Sequence, residues 1–209
     1  MNFNGFTESD FDVFLIDGLE TRMDALKTHI RPKLETLGAY FAPILSSMTG
    51  DEMFAHVAKH ARRTINPPKD TWVAFASNAR GYKMLPHFQI GLWGTHLFIW
   101  FAIIYEAPCK SEFGKRLELM TEKIYQEIPK DFVWSVDHMK PEVQKHEMLS
   151  QEALTNMFVR MQTIKKAEIL CGYQIPKQQA ITIPGNQFLE QTQFVFETLL
   201  TLYKMIETT

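Results

Sequence analysis

Apolar positions in the first third of the chain recur at three- and four-residue steps. Leu19, Met23, Leu26, Ile30, Leu34 and Leu37 trace one face of a helix. Asp17 with Glu20 three positions on predicts a capping-box start. Pro32 lacks an amide hydrogen and crowds the preceding turn, so a kink or break is expected near Arg31. A second helical piece carries Tyr40, Phe41, Ile44, Leu45 and Met48 and should end near Gly50.

The period then changes. Thr71 to Phe75 reads Thr-Trp-Val-Ala-Phe, rich in strand formers. Phe88, Ile90 and Leu92 alternate onto one face, Gly94-Thr95 offers a tight turn, and His96 to Tyr105 is nearly continuously apolar. Such a strand is expected at the centre of a sheet and covered on both sides. Met53 to Arg63 reads as strand rather than helix, because Asn66-Pro67-Pro68 makes a compact connection into the Thr71 strand.

Beyond Ser111 the periods alternate. Phe113, Leu117, Met120 and Ile124 predict a helix, and Phe132 to Val136 a short strand. Polar Lys140 to Leu149 reads as an edge strand or loop. Ser150 caps a helix bearing Leu154, Met157, Phe158 and Met161. Ala167, Ile169, Cys171, Tyr173 and Ile175 alternate along a further strand. A long amphipathic helix closes the chain, with Phe188, Thr192, Val195, Phe196, Leu199, Leu200 and Tyr203 inward. Strict alternation of strand and helix is absent. The expected class is α+β: a central, mainly antiparallel sheet with flanking helices, in a single domain over 1–209.

Composition narrows the picture. The 209 residues are 45% hydrophobic and 22% charged with net charge -2, which excludes disorder as the main state. Cys109 and Cys171 are the only two cysteines, too few for a disulfide scaffold. The longest apolar run, Leu97 to Tyr105, is too short to cross a bilayer as a helix. The opening MNFNGFTESD lacks the regions of a signal peptide. A cytoplasmic protein with no membrane partner is the expectation.

The small net charge hides an imbalance. Met53 to Gln89 carries Lys59, Arg62, Arg63, Lys69, Arg80 and Lys83 against Asp70 alone, while acids predominate elsewhere. His56, His60 and His87 lie in the same segment. Clustered Arg and Lys suit phosphate oxygens, and Tyr82 and Trp72 could stack on a base. The candidate anion-binding set is therefore Lys59, His60, Arg62, Arg63, Arg80, Lys83 and His87. The alternative is a solvated hairpin whose charges share a sign, with Trp72 in the core.

Other chemistry is poorly signalled. There is no phosphate loop, GxGxxG, GxSxG, HExxH or CxxC. His56 and His60 have the spacing of two metal ligands, but no spacing demands a third from His87, His138 or Asp137, and neither a metal nor a cofactor is expected. Cys109 could be exposed beside Lys110, with no identifiable base, and Cys171 should be buried. Asp137 and His138, adjacent on a strand, point apart, so each needs a partner from elsewhere. Glu168, beside Lys165 and Lys166, reads as a solvated charge.

HVAKHARR at His56 to Arg63, TINPPKDTWVAF at Thr64 to Phe75, RGYKMLPHFQIGLW at Arg80 to Trp93 and IDGLETRM at Ile16 to Met23 resemble the YktB-like family of uncharacterised bacterial proteins. The resemblance runs from about Ser9 to Tyr203. It implies a small cytoplasmic α/β domain, where the pattern of elements reads as α+β, and supplies no catalytic residues. Three functions stay open. The first is binding of a phosphate-bearing small molecule or nucleic acid. The second is an enzyme on a small anionic substrate with a histidine general acid or base. The third is a module that meets an acidic protein partner. A deep pocket favours the enzyme, and a flat basic face favours nucleic acid.

Overall fold

A computed structural model describes residues 3–207, so both ends of the expected domain, 1 and 209, lie outside the described residues. Alternation builds one seven-stranded sheet: β1 (Phe54–Val57), β2 (Asp70–Ala76), β3 (His87–Trp93), β4 (His96–Ile103), β5 (Val133–Ser135), β6 (Gln144–Lys145) and β7 (Ile169–Pro176). Their spatial order is β1-β2-β3-β4-β7-β5-β6, and every pairing is antiparallel. The α+β class and the β3–β4 hairpin at the sheet centre are as the pattern predicts. Met53 to Arg63 contributes β1, as expected of a strand, and then a loop in which His60 takes a left-handed backbone (φ 50°).

Helices α1 (Glu8–Asp12), α2 (Leu19–Ala25), α3 (Arg31–Thr49), α4 (Lys110–Leu119), α5 (Thr121–Glu127), α6 (Gln151–Thr163), α7 (Lys177–Ala180) and α8 (Gly185–Glu207) complete the order. A π turn, Leu26–Ile30, joins α2 to α3. That is the distortion Pro32 demands. Helical backbone runs without a gap from Leu19 to Thr49, and the wider π turn just before Pro32 absorbs the crowding of its ring. Gly50 ends α3 in the left-handed conformation (φ 86°). Two expectations are corrected here. Asp17 does not cap α2: its N-cap is Gly18, and the capping box forms instead at α1, between Thr7 and Asp10. The stretch from Ser111 to Ile124 is two helices, parted at Met120.

The main core lies between the helices and one face of the sheet, which carries Val73, Phe75, Phe88, Ile90, Leu92, Ile99, Phe101 and Ile175. Phe196 of α8 anchors it, with ring centroids 5.4, 6.0 and 5.3 Å from those of Phe41, Phe75 and Phe88. Among the described residues no helix contributes to the smaller apolar cluster on the opposite face, which holds Phe98, Trp100, Ala102, Ile104, Val133 and Leu170. β4 is buried on both faces, as its composition demands, but the helices lie on one side only. Loops reach over the other: Tyr82 and Lys83 from the β2–β3 connection, His138 to Lys140 from β5–β6. No helix among the described residues is long and apolar enough to cross a membrane.

Candidate functional site

Register places the residues of the open face in rows. Trp72, Gly91, Phe98 and Gln174 share one row, and Ala74, Gln89, Trp100, Gly172 and Val133 the next. The two glycines give the rows their shape. A Cβ on Gly91 would strike the Phe98 ring and lie 2.6 Å from the Thr71 carbonyl. One on Gly172 would strike the Ile99 carbonyl and lie 2.8 Å from the Trp100 ring. Phe98 and Trp100 therefore lie down on the bare backbone of neighbouring strands, in opposite directions. Above them is a partly open hollow of about 120 Å³. Three of the chain's four tryptophans, Trp72, Trp93 and Trp100, line it. Trp72 is half-buried there rather than packed in the core, and its Nε1 donates to the Tyr82 hydroxyl at 2.9 Å.

Two glutamines reach this hollow, each held by a buried histidine. His87 Nδ1 lies 2.7 Å from the Leu85 carbonyl, which only accepts, so Nδ1 carries the proton. Burial pushes the His87 pKa down to about 4, so the ring is neutral and Nε2 is an acceptor. Gln89 Nε2 donates to it at 2.8 Å. On β7, Gln174 Nε2 donates both to the Pro141 carbonyl at 3.3 Å and to His96 Nε2 at 3.0 Å. Burial likewise lowers the His96 pKa to about 4. Both N–H groups of Gln174 are thus engaged and one of Gln89, and among the described residues neither carboxamide oxygen has a hydrogen-bond partner.

Charged groups stand at the rim. Asp70 is half-buried, and burial pushes its pKa up to about 6, against the opposing charges of Arg63 and His138. His138 Nδ1 meets buried Glu168 at 2.8 Å, and the same carboxylate accepts from the backbone N–H of His138 at 2.6 Å and of Tyr105 at 3.3 Å. Burial disfavours the His138 imidazolium, but the hydrogen bond and charge of Glu168 outweigh it and raise the pKa. Among the described residues His138 Nε2 has no hydrogen-bond partner, and the ring lines the hollow. Glu168 is thus a buried partner and not a solvated charge. Its lysine neighbours mislead, because Lys165 and Lys166 lie exposed in the turn after α6 while Glu168, at the entry to β7, turns inward.

The sequence-derived anion set divides. Lys83 stands at the hollow, paired with Glu106 at 3.2 Å. His87 lies one layer beneath, wholly buried with both nitrogens engaged. His60 bonds Thr71 Oγ1 at 3.1 Å and, with Arg63, borders a separate shallow groove beside α2. Lys59, Arg62 and Arg80 are exposed on loops. His56 sits on the open face, bonded to the Asn78 carbonyl at 2.8 Å, so it and His60 do not form a pair. No cluster of three or more His, Cys, Asp or Glu suited to a metal occurs among the described residues. Cys109 is exposed and Cys171 buried. Sequence reasoning missed Asp70, Trp93, Gln89, Gln174 and Glu168. The available signals were glycines in the middle of two apolar strands and a His-x-Gln pair on the face opposite Phe88 and Ile90.

Comparison with known proteins gives the chain its kin. Residues 6–203 match the family model described as "Domain of unknown function (DUF1054)". A UPF0637 protein of Bacillus velezensis is 56% identical over 202 residues, covering 97% of this chain and 96% of the relative. A UPF0637 protein of Bacillus licheniformis is 52% identical over 202 residues, with 97% and 96% covered. One of Bacillus cereus is 52% identical over 205 residues, with 98% and 99% covered. The expected kinship with an uncharacterised bacterial family holds over nearly the whole chain, which belongs to the DUF1054 family, whose curated bacterial members carry the name UPF0637.

Proposed function

We propose that this chain binds a small, planar organic molecule in the open-face hollow. The observation that carries the reading is the convergence of Trp72, Trp93 and Trp100 with polar groups on the one sheet face that no helix covers. Concave, mostly apolar sites with a few placed polar groups are where small ligands bind. Phosphate has weaker support as the ligand's main feature. The cations near the hollow already have carboxylates: Lys83 with Glu106, Lys140 with Asp137 at 3.3 Å, His138 with Glu168. Lys59, Arg62 and Arg80 stand apart on exposed loops.

The test is a fragment screen read by the indole N–H signals of ¹⁵N-tryptophan-labelled protein. Planar fragments should move Trp72, Trp93 and Trp100 together. Trp134, buried on the helical side and bonded to His146 at 2.9 Å, should stay still. Shifts absent throughout, or equal at Trp134, contradict the reading.

A second reading, an enzyme, rests on His138. An imidazole held by a buried carboxylate at one nitrogen, with the other nitrogen facing a hollow, is suited to moving a proton. It predicts that a bound compound is released chemically changed by the wild type and unchanged by His138→Gln. Recovery of unchanged compound from both would leave binding alone.

A further inference from the structure

Two polar groups of the hollow, Gln89 and Gln174, have a fixed orientation, while Tyr82, Lys83, His138 and Lys140 supply donors around them. Gln89 on β3 and Gln174 on β7 lie on strands roughly 10 Å apart, with β4 between them. A glutamine amide ordinarily chooses which end to present. Here neither does. The Leu85 carbonyl fixes the proton on His87 Nδ1, so neutral His87 claims the Gln89 NH₂. The Pro141 carbonyl and His96 claim the Gln174 NH₂. Both histidines and Gln89 are buried, so their solvent cannot easily reorganise the pairs. The carboxyl of Asp70 stands at the same hollow.

From this geometry we infer that the ligand is a planar N–H donor, of the aminoheterocycle or amidine class, which lies among the tryptophans and donates to Gln89 Oε1, Gln174 Oε1 and the Asp70 carboxylate. The inference rests on the hollow being a ligand site and deepens that reading. A ligand that brings only acceptors would leave both glutamine oxygens and the Asp70 carboxylate unpaired, with partners only among the rim donors Lys83, His138 and Lys140. Aromatic rings reinforce the choice, since their faces favour partial positive charge.

Two measurements test it. The first needs no ligand: long-range ¹⁵N–¹H imidazole spectra of the wild type between pH 6 and 8. The inference requires His87 and His96 as neutral Nδ1–H tautomers. If either is the Nε2–H tautomer, its glutamine is reversed and the inference fails while the hollow reading stands. The second measurement compares 2-aminobenzimidazole with benzimidazole-2-carboxylate and phenyl phosphate, by calorimetry and by the tryptophan indole signals. The aminoheterocycle should bind about tenfold tighter or better, equivalent to about 1.4 kcal/mol. Gln89→Leu and Gln174→Leu should each erase most of that preference without erasing stacking shifts. Preference for either anion overturns donor selection alone. If all three probes leave Trp72, Trp93 and Trp100 unmoved, both readings fall.

Discussion

Asp70 is ionised at neutral pH in a place that resists ionisation. Its pKa stands near 6 against an ordinary 3.8, so the folded state holds the proton more tightly than the unfolded state does. The sign follows: this contribution to stability is full below pH 3.8 and is lost as pH rises through about 6. Asp70→Asn should therefore be nearly neutral at pH 4 and stabilise by on the order of 1–2 kcal/mol at pH 8, measured by urea unfolding at both values. An equal effect at both would show that Asp70 titrates normally. A group that costs stability where it is ionised is a reasonable place to look for function. His138 runs the other way in cause but shares the sign. Its raised pKa contributes stability fully present below 6.5 and lost as pH rises through the folded value. Glu168→Gln should lower the His138 pKa in an NMR titration and destabilise more at pH 6 than at pH 9. Thr192 offers an internal control far from the site. Its hydroxyl is buried without a hydrogen-bond partner in the middle of α8, so Thr192→Val should hold or raise stability by about 1 kcal/mol.

Glycines decide the strands. At Gly91 a methyl group would displace the Phe98 ring, and at Gly172 it would press on the Ile99 backbone, which cannot yield. Gly91→Ala should cost about 1–3 kcal/mol, and Gly172→Ala more, by chemical denaturation. Similar small losses at both would mean that the rings do not lie on those backbones. These elements also mark how far the sequence could be read. Helical faces, the β3–β4 hairpin and the Ser150 cap follow from period and local chemistry, and each recurs in the structure. The Pro32 distortion was legible too, though its form was not, since a π turn answers crowding that sequence marks only as a proline. The site was mostly illegible. Alternation set Gln89 opposite Phe88 and Ile90 and Glu168 opposite Ala167 and Ile169, while Trp72 read as core packing. It did not show that loops close over that second face, and so all three read as packing or solvent positions. Convergence of side chains from β2, β3, β4 and β7 depends on strand order, which no local pattern encodes.

Across the whole molecule, charge and site separate. The +5 segment from Met53 to Gln89 is real in sequence, but the fold spreads it between an exposed loop near α2 and the rim of the hollow, where carboxylates answer it. A ligand held by aromatic faces and fixed acceptors should feel ionic strength weakly. Raising salt from 50 to 500 mM, or introducing Arg62→Glu with Arg80→Glu, should change affinity in the hollow by about twofold at most. A phosphate ligand on the basic loops would instead weaken steeply in both experiments. The most direct measurement is a crystal structure of the wild-type protein soaked with 2-aminobenzimidazole. The account predicts a ring lying against Trp72 and Trp100, its N–H edge directed at Gln89 and Gln174. A ligand bound elsewhere, or a hollow closed by its own tryptophans, would contradict it.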